Sequence, residues 1–465
     1  MIRQATVESG KIEGLAADDP RVTVFRGIPF AAPPVGKNRW RAPQPCEHWS
    51  GVRKCYSFAP ISMQDRPGVS EDLYSREFHV DPDIAISEDS LYLNVWTGAK
   101  TTQERLPVLV WIYGGAFQWG YTAEMEFNGE RIARHGVIVV SIAYRLGVFG
   151  FLAHPELSAQ DPEHPTNFGL LDQQAALAWV YRNISAFGGD PENITLAGQS
   201  AGGASVTYAM ANPANDHMIK KATIFSGFIR NPFYFDTIIS PRMIDDIEQN
   251  GIEFIKHLGC SSVEEARNIS AGEIVDAYFA FVKDHPRFVP CIDKVYVRED
   301  PFAMILSGQM RDIPVLAGYT EDEFTDNYPE RTEGAGQKLK ADIKEKGGQK
   351  VFNVVQDSVR RVADAHAANG YKAPFYAYRF APDIPGWDNP GAFHSCDLWF
   401  FFETIQKCWR PFNGSHYDLA KRMCDYWCNF IKTSDPNGTG YDGKELPKWI
   451  PSEGTDRAKE EMLFK

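Results

Sequence analysis

Positive charge is in short supply in this sequence. Its 48 lysines and arginines face 61 aspartates and glutamates, a net charge of −13 over 465 residues. Such a chain offers no electrostatic footprint for a nucleic acid or an anionic membrane surface. Long apolar runs are missing as well. The longest apolar region, 106–121, is broken by Gly114, Gly115 and Gln118, so no membrane span is expected. The opening MIRQATVESG holds no apolar signal core, which makes a cytoplasmic location the expectation. Cysteine is sparse and scattered, with eight residues and no clustered spacing, and no disulfide framework follows from it. Cys424 and Cys428 stand four apart on an expected helix. With no histidine pair beside them in the sequence, they read as core packing. Repeats and low-complexity tracts are absent. Hydrophobic residues make up 43% and aromatics 13%, enough for a large core and inconsistent with disorder.

What is present is an alternation of apolar runs. Strand-like segments are expected over 21–30, 90–98, 106–115, 136–145, 194–198, 221–227, 313–320 and 374–380, the last of these being the final strand. The runs LPVLVWIYGG and GVIVVSIAYR are continuous and β-branched, which suits strands buried on both faces. Helices are expected over 170–183, from Ser200 onward, and over 243–258, 263–282, 351–368 and 417–431. This order predicts an α/β fold with a mostly parallel sheet covered by helices on both faces. No linker divides the chain. One catalytic domain over 1–465 is expected, with helical insertions at about 210–311 and 329–373.

The segment ENITLAGQSAGG places a serine between two glycines where a strand hands over to a helix. In that context Gly198-Gln199-Ser200-Ala201-Gly202 reads as a nucleophile elbow. A sharp turn lifts the Ser200 hydroxyl above the sheet, the flanking glycines avoid a Cβ clash, and the N–H of Ala201 opens the helix toward a developing oxyanion. A second donor loop is expected where WIYGGAF leaves its strand, at Gly114 and Gly115. Serine needs a base, and the base an orienting acid. His394, in NPGAFHSCDLWFF, follows a Pro-Gly turn beyond a late strand and is the candidate base. Glu321, Asp322 and Glu323 follow the strand IPVLAGYT at the sheet edge where catalytic groups gather, and spacing alone leaves all three open as the acid.

Several blocks occur in order along the chain: FRGIPFAAPPVGKNRWRAPQP, SEDSLYLNVW, YGGAFQWG, AYRLGVFGFL, the long run through GQSAGG, GYTEDEF and GAFHSCDLWFFF. Together they resemble the type-B carboxylesterase family, bacterial para-nitrobenzyl esterases in particular, over nearly the whole chain. The resemblance implies an α/β-hydrolase fold with helical insertions forming a substrate gorge, and a serine carboxylesterase acting through an acyl-enzyme without metal or organic cofactor. It implies Ser200 as nucleophile, Glu323 as the triad acid, His394 as base, and Gly114, Gly115 and Ala201 as the oxyanion hole. Ser226 matches a serine that supports the triad. Phe117, Trp119, Trp399 and Phe400 are candidates for the gorge wall, with core packing the alternative for each. A small-molecule ester is the expected partner; monomer and homodimer stay open. There are departures. Ser90 stands where secreted members carry a disulfide cysteine, Gln199 replaces a glutamate beside the nucleophile, Ala143 replaces an asparagine, and Phe324 replaces a glycine after the acid. The loss of a charge at Gln199 predicts weaker attraction for cationic substrates. Amidase, thioesterase, acyltransferase or polysaccharide acetyl/feruloyl esterase activity would use the same triad. A catalytically silent adhesion or scaffold protein would be expected to lack the serine or histidine.

Overall fold

The computed structural model describes residues 1–229, 241–324, 353–453 and 460–465. Among them are thirteen strands: β1 (Gln4–Val7), β2 (Gly10–Glu13), β3 (Leu15–Ala16), β4 (Thr23–Pro29), β5 (Val52–Lys54), β6 (Tyr92–Thr97), β7 (Leu106–Ile112), β8 (Ile138–Ile142), β9 (Gly189–Gln199), β10 (Lys221–Phe225), β11 (Val315–Thr320), β12 (Phe375–Phe380) and β13 (Glu461–Phe464). Ten of them form one sheet in the order β13-β12-β11-β10-β9-β7-β8-β6-β4-β3, while β1, β2 and β5 make a small separate sheet. Pairing is parallel from β13 through β8 and antiparallel from β8 to β3. The apolar runs explain the layout. Residues 138–142 of β8 and 221–225 of β10 are buried along their whole length, as strands covered on both faces must be.

The structure departs from the sequence expectations at several places. β12 is not the last strand, because the C-terminal residues 461–464 add β13 at the sheet edge. The turn-like GGDPEN is drawn into β9, which begins at Gly189 and pairs there with Leu106 before a bulge. The expected helix 263–282 is two helices, Val263–Ala266 and Ala271–Phe281. Ser270 and Glu273 form a reciprocal capping box that restarts the chain, the Ser-x-x-Glu signature of a helix N-terminus. The 210–311 insertion contains β10, a strand of the main sheet. Of the 329–373 insertion, the part up to 352 lies outside the described residues, and the rest carries the helix Val354–Ala368.

The buried apolar side chains form one contiguous cluster on both sides of the sheet. At its centre Trp111 of β7 meets Phe402 edge-on, with ring centroids 4.9 Å apart, and Trp427 at 6.2 Å. Trp427, on the long helix Gly414–Thr433, also meets Phe225 at 5.0 Å and donates to the Thr223 hydroxyl at 3.1 Å. This aromatic block fixes the floor beneath the strand ends. Several sequence blocks noted above turn out to be joined by buried charge pairs. Arg39 grips Glu88 with two hydrogen bonds of 2.6 Å. Arg145 grips Asp172 bidentately at 2.8 and 2.7 Å, and its backbone N–H donates to the same carboxylate at 3.0 Å. Arg410 lies between Glu77 and Asp388.

Removing one partner of such a pair strands a charge in a low-dielectric site. Asp172→Ala is therefore expected to lose about 3–5 kcal/mol of stability, read as a lowered urea midpoint at unchanged slope. A loss below about 1 kcal/mol, the range of an exposed pair, would contradict the burial argument.

Candidate active site

β9 ends at Gln199 and the helix Ala201–Ala211 starts two residues later, which leaves Ser200 alone at the turn. Its backbone lies at φ 54° and ψ −122°, a region that costs a non-glycine residue on the order of 1–3 kcal/mol unless its surroundings impose it. Here they do. The Ser200 N–H donates to the Phe225 carbonyl at 2.9 Å, and the Ser200 carbonyl accepts from Ala204 N–H at 2.8 Å. The close approach of backbone segments explains the glycines: a Cβ on Gly198 would lie 2.3 Å from the Gly202 carbonyl oxygen, and one on Gly202 would lie 2.1 Å from that of Ile112. Ala201 is the first helical residue, so its N–H has no acceptor within the helix.

The loop that leaves β7 passes directly over this turn. A Cβ on Gly114 would come within 3.1 Å of Ser200 Cβ. Gly115 has φ 103°, and a Cβ there would lie 2.2 Å from the Trp119 carbonyl oxygen. Among the described residues no protein acceptor takes the N–H of Gly114 or Gly115. Both glycines, Ala201, Ser200 and His394 border a single cavity of about 800 Å³.

His394 is buried in the loop after β12. Its Nδ1 is hydrogen-bonded to Glu323 Oε2, and its Nε2 faces the Gln199 side-chain amide nitrogen at 3.1 Å. With Nδ1–H donating to the carboxylate, the Nε2 lone pair accepts from Gln199. The same amide donates to Ser395 Oγ at 2.7 Å. The three acids left open by the sequence go to three different places. Glu321 pairs with Arg379, Asp322 accepts from Ala392 N–H at 2.8 Å, and Glu323 alone turns inward. Glu323 Oε1 accepts from Thr320 N–H at 2.9 Å and from the Ser226 hydroxyl. The departure at Phe324 has a visible consequence: the residue adopts φ 49°, and its ring lies 4.2 Å, centroid to centroid, from that of His394.

The gorge-wall candidates divide. Trp119 borders the cavity, with the Arg287 guanidinium 4.8 Å over its ring. Phe117, Trp399 and Phe400 do not border it. Phe117 packs edge-on against Phe151, Trp399 stacks on Phe78 and donates to Glu77 at 3.0 Å, and Phe400 meets Phe380. Aromatic residues next to a catalytic motif served the core here. The wall the sequence did not reveal comes largely from 64–79, with Tyr74 and Phe78. Its acid-rich pattern carried no periodic signal. It also changes the expectation drawn from Gln199, since Asp65, Asp72, Glu124, Glu126 and Asp276 all border the cavity. Burial and the neighbouring Glu124 charge push the Glu126 carboxyl well above its usual range. His79 lies 3.5 Å from Glu124. Burial alone would lower its pKa, but the carboxylate prevails and raises it.

A sequence profile of the carboxylesterase family matches residues 2–356 and 338–464. The chain belongs to the carboxylesterase family. It is 33% identical over 470 residues to a para-nitrobenzyl esterase of Bacillus subtilis, covering 93% of this chain and 90% of the relative. It is 32% identical over 471 residues to a fumonisin B1 esterase of Sphingopyxis macrogoltabida, covering 92% of this chain and 82% of the relative. A solved PNB esterase structure superposes with a TM-score of 0.79 at 29% identity, over 94% of this chain and 92% of that one. A carboxylesterase of Geobacillus stearothermophilus gives 0.76 at 30% identity, over 96% and 93%. This family member is a carboxylic ester hydrolase with the α/β-hydrolase fold. Among the described residues no helix is long and apolar enough to cross a membrane.

One buried acid behind the carboxylesterase site ties stability to pH. Asp397 is fully buried; its Oδ2 accepts from the Tyr378 hydroxyl at 2.6 Å and its Oδ1 finds no partner. Burial first, and then the nearby Glu323 charge, push it up to about 7, against the opposing hydrogen bond from Tyr378. The native state therefore binds a proton that the unfolded chain releases near pH 4. Its contribution is complete below about pH 4, declines as pH rises and is gone above about pH 7, a change of about 4 kcal/mol. Asp397→Asn stays neutral throughout. It is expected to match the wild type in thermal stability near pH 4 and to exceed it at pH 8. Parallel profiles for the two proteins would contradict this assignment.

Proposed function

We propose that the enzyme hydrolyses carboxylic esters by two-step acyl transfer through a Ser200–His394–Glu323 triad. The observation that carries this reading is the strained Ser200 turn sharing one cavity with His394, whose Nδ1 is bonded to the buried Glu323. Ester binding displaces the Gln199 amide from His394 Nε2, and Nε2 then takes the Ser200 proton as Oγ attacks the carbonyl carbon. The tetrahedral oxyanion is received by the N–H groups of Gly114, Gly115 and Ala201. His394 protonates the leaving alcohol, and the cycle repeats with water attacking the acyl-enzyme. Glu323 holds the tautomer and stabilises the imidazolium, with Ser226 and Thr320 steadying the carboxylate. Water is the acceptor in this reading; amides and thioesters would meet the same triad.

The cavity is large enough for a mid-sized ester. Its carboxylate-rich wall favours neutral or amine-bearing substrates over anionic ones. The eight cysteines are free thiols, which supports a reducing, cytoplasmic setting. The test is hydrolysis of para-nitrophenyl esters from acetate to decanoate by the wild type and by Ser200→Ala. Turnover should peak at one chain length and fall on the order of 10⁶-fold in the variant. Equal rates in the two proteins would refute the assignment.

A further inference from the structure

Outside the catalytic cavity, three distant segments bring soft and borderline metal-ligating atoms together. His135 follows the helix Glu130–Arg134, Glu403 follows the helix Leu398–Phe401, and Cys424 and Cys428 belong to the helix Gly414–Thr433. One ligand atom each from His135, Glu403 and Cys424 lies within 4.8 Å of the others. Cys428 Sγ is 3.9 Å from Cys424 Sγ, and the His135 imidazole is among the groups around it. The i,i+4 spacing puts both sulfurs on one helix face, where they read from sequence as core packing; the fold supplies the imidazole and the carboxylate that the sequence could not place beside them. None of the four borders the catalytic cavity.

The two sulfurs are spaced as ligands of one ion, and one of them, Cys424, shares the 4.8 Å cluster with His135 and Glu403. Tetrahedral zinc with Zn–S bonds near 2.3 Å needs its two sulfurs about 3.8 Å apart. The imidazole is oriented as in known histidine–metal sites. Its Nε2 faces Glu403 Oε2 at 3.9 Å, while its Nδ1 faces Asp425 Oδ1 at 3.4 Å, the arrangement in which a carboxylate on the far nitrogen fixes the ring for a metal on the near one. Asp425 is itself held by the Tyr441 N–H at 2.9 Å. Glu403 occupies the left-handed region at φ 51°, a conformation costly for glutamate.

We infer that His135, Glu403, Cys424 and Cys428 form a structural binding site for one soft divalent cation of the zinc class, with Asp425 orienting the imidazole. Two thiolates and an imidazole select zinc-like ions over magnesium or calcium. Binding forms two metal–sulfur bonds and releases the two thiol protons to solvent, with no change of oxidation state. All four positions are filled by protein, so the ion would tie the long helix to the two loops and leave no open position for chemistry.

The test uses the full-length protein, reduced and then freed of metal, titrated with Co²⁺ as a spectroscopic probe and with Zn²⁺ in competition. One equivalent of Co²⁺ should produce thiolate-to-cobalt charge-transfer absorption and the strong visible bands of tetrahedral cobalt, and Zn²⁺ should abolish both. Zn²⁺ should also raise the melting temperature by mass action. Asp425→Asn, which leaves every ligand in place, should weaken Co²⁺ binding about 10–100-fold. Cys424→Ser/Cys428→Ser should lose the charge-transfer band. The inference is overturned if the reduced wild type takes up no stoichiometric Co²⁺ or Zn²⁺, if the bound cobalt is octahedral and lacks the thiolate band, or if a folded double-serine variant binds as well as the wild type.

Discussion

The carboxylesterase site depends on two backbone segments passing closer than any side chain allows. The turn after β9 and the end of β7 touch at Gly202 and Ile112, while Gly198 abuts Gly202 across the turn. That contact forces the chain to reverse in a single residue, and the residue in the costly conformation is Ser200. The same proximity brings the Gly114–Gly115 loop over the serine and leaves the first N–H groups of the following helix pointing at the same space. The serine and the N–H groups to which the proposed mechanism gives the nucleophile and oxyanion-donor roles are thus brought together by one steric constraint, above the aromatic cluster around Trp111 and Trp427. Catalytic preorganisation of this kind needs no rearrangement as charge develops.

Electrostatics complete the site with few charges. Glu323 is the buried carboxylate bonded to His394, and it is held by one hydroxyl and one backbone N–H. Its buried neighbour Asp397 is pushed up to about 7 by burial and by the Glu323 charge, so below that pH Glu323 has a mostly neutral acid beside it. Gln199 occupies the place of a possible further charge and engages the free face of His394. The negative charge removed there reappears on the cavity wall, where Asp65, Asp72 and Glu124 border the space a substrate must cross.

The parts readable in the sequence were those whose chemistry is local. The sharp turn at Ser200 announces itself because strand, glycines and helix are contiguous, and β-branched runs give the inner strands for the same reason. His394 could be singled out by its Pro-Gly turn. Glu321, Asp322 and Glu323 could not be told apart from spacing, since the choice depends on Arg379 and Ala392, which lie on other segments. Phe117, Trp399 and Phe400 look identical in sequence to gorge aromatics. Their burial is decided by Phe151, Phe78 and Phe380. The edge strand β13 is four residues long and too short for a pattern. The Cys424–Cys428 pair was visible, but His135 and Glu403 reach it only through the fold.

In the proposed mechanism the Ser200 hydroxyl, presented by the strained turn, is the nucleophile. The direct measurement is stoichiometric reaction with an alkyl fluorophosphonate, followed by mass mapping of the labelled peptide. The account predicts one phosphonyl group per chain, carried by Ser200, at a rate that collapses in His394→Ala. Label on another residue, or no label on a folded protein that hydrolyses esters, would contradict it.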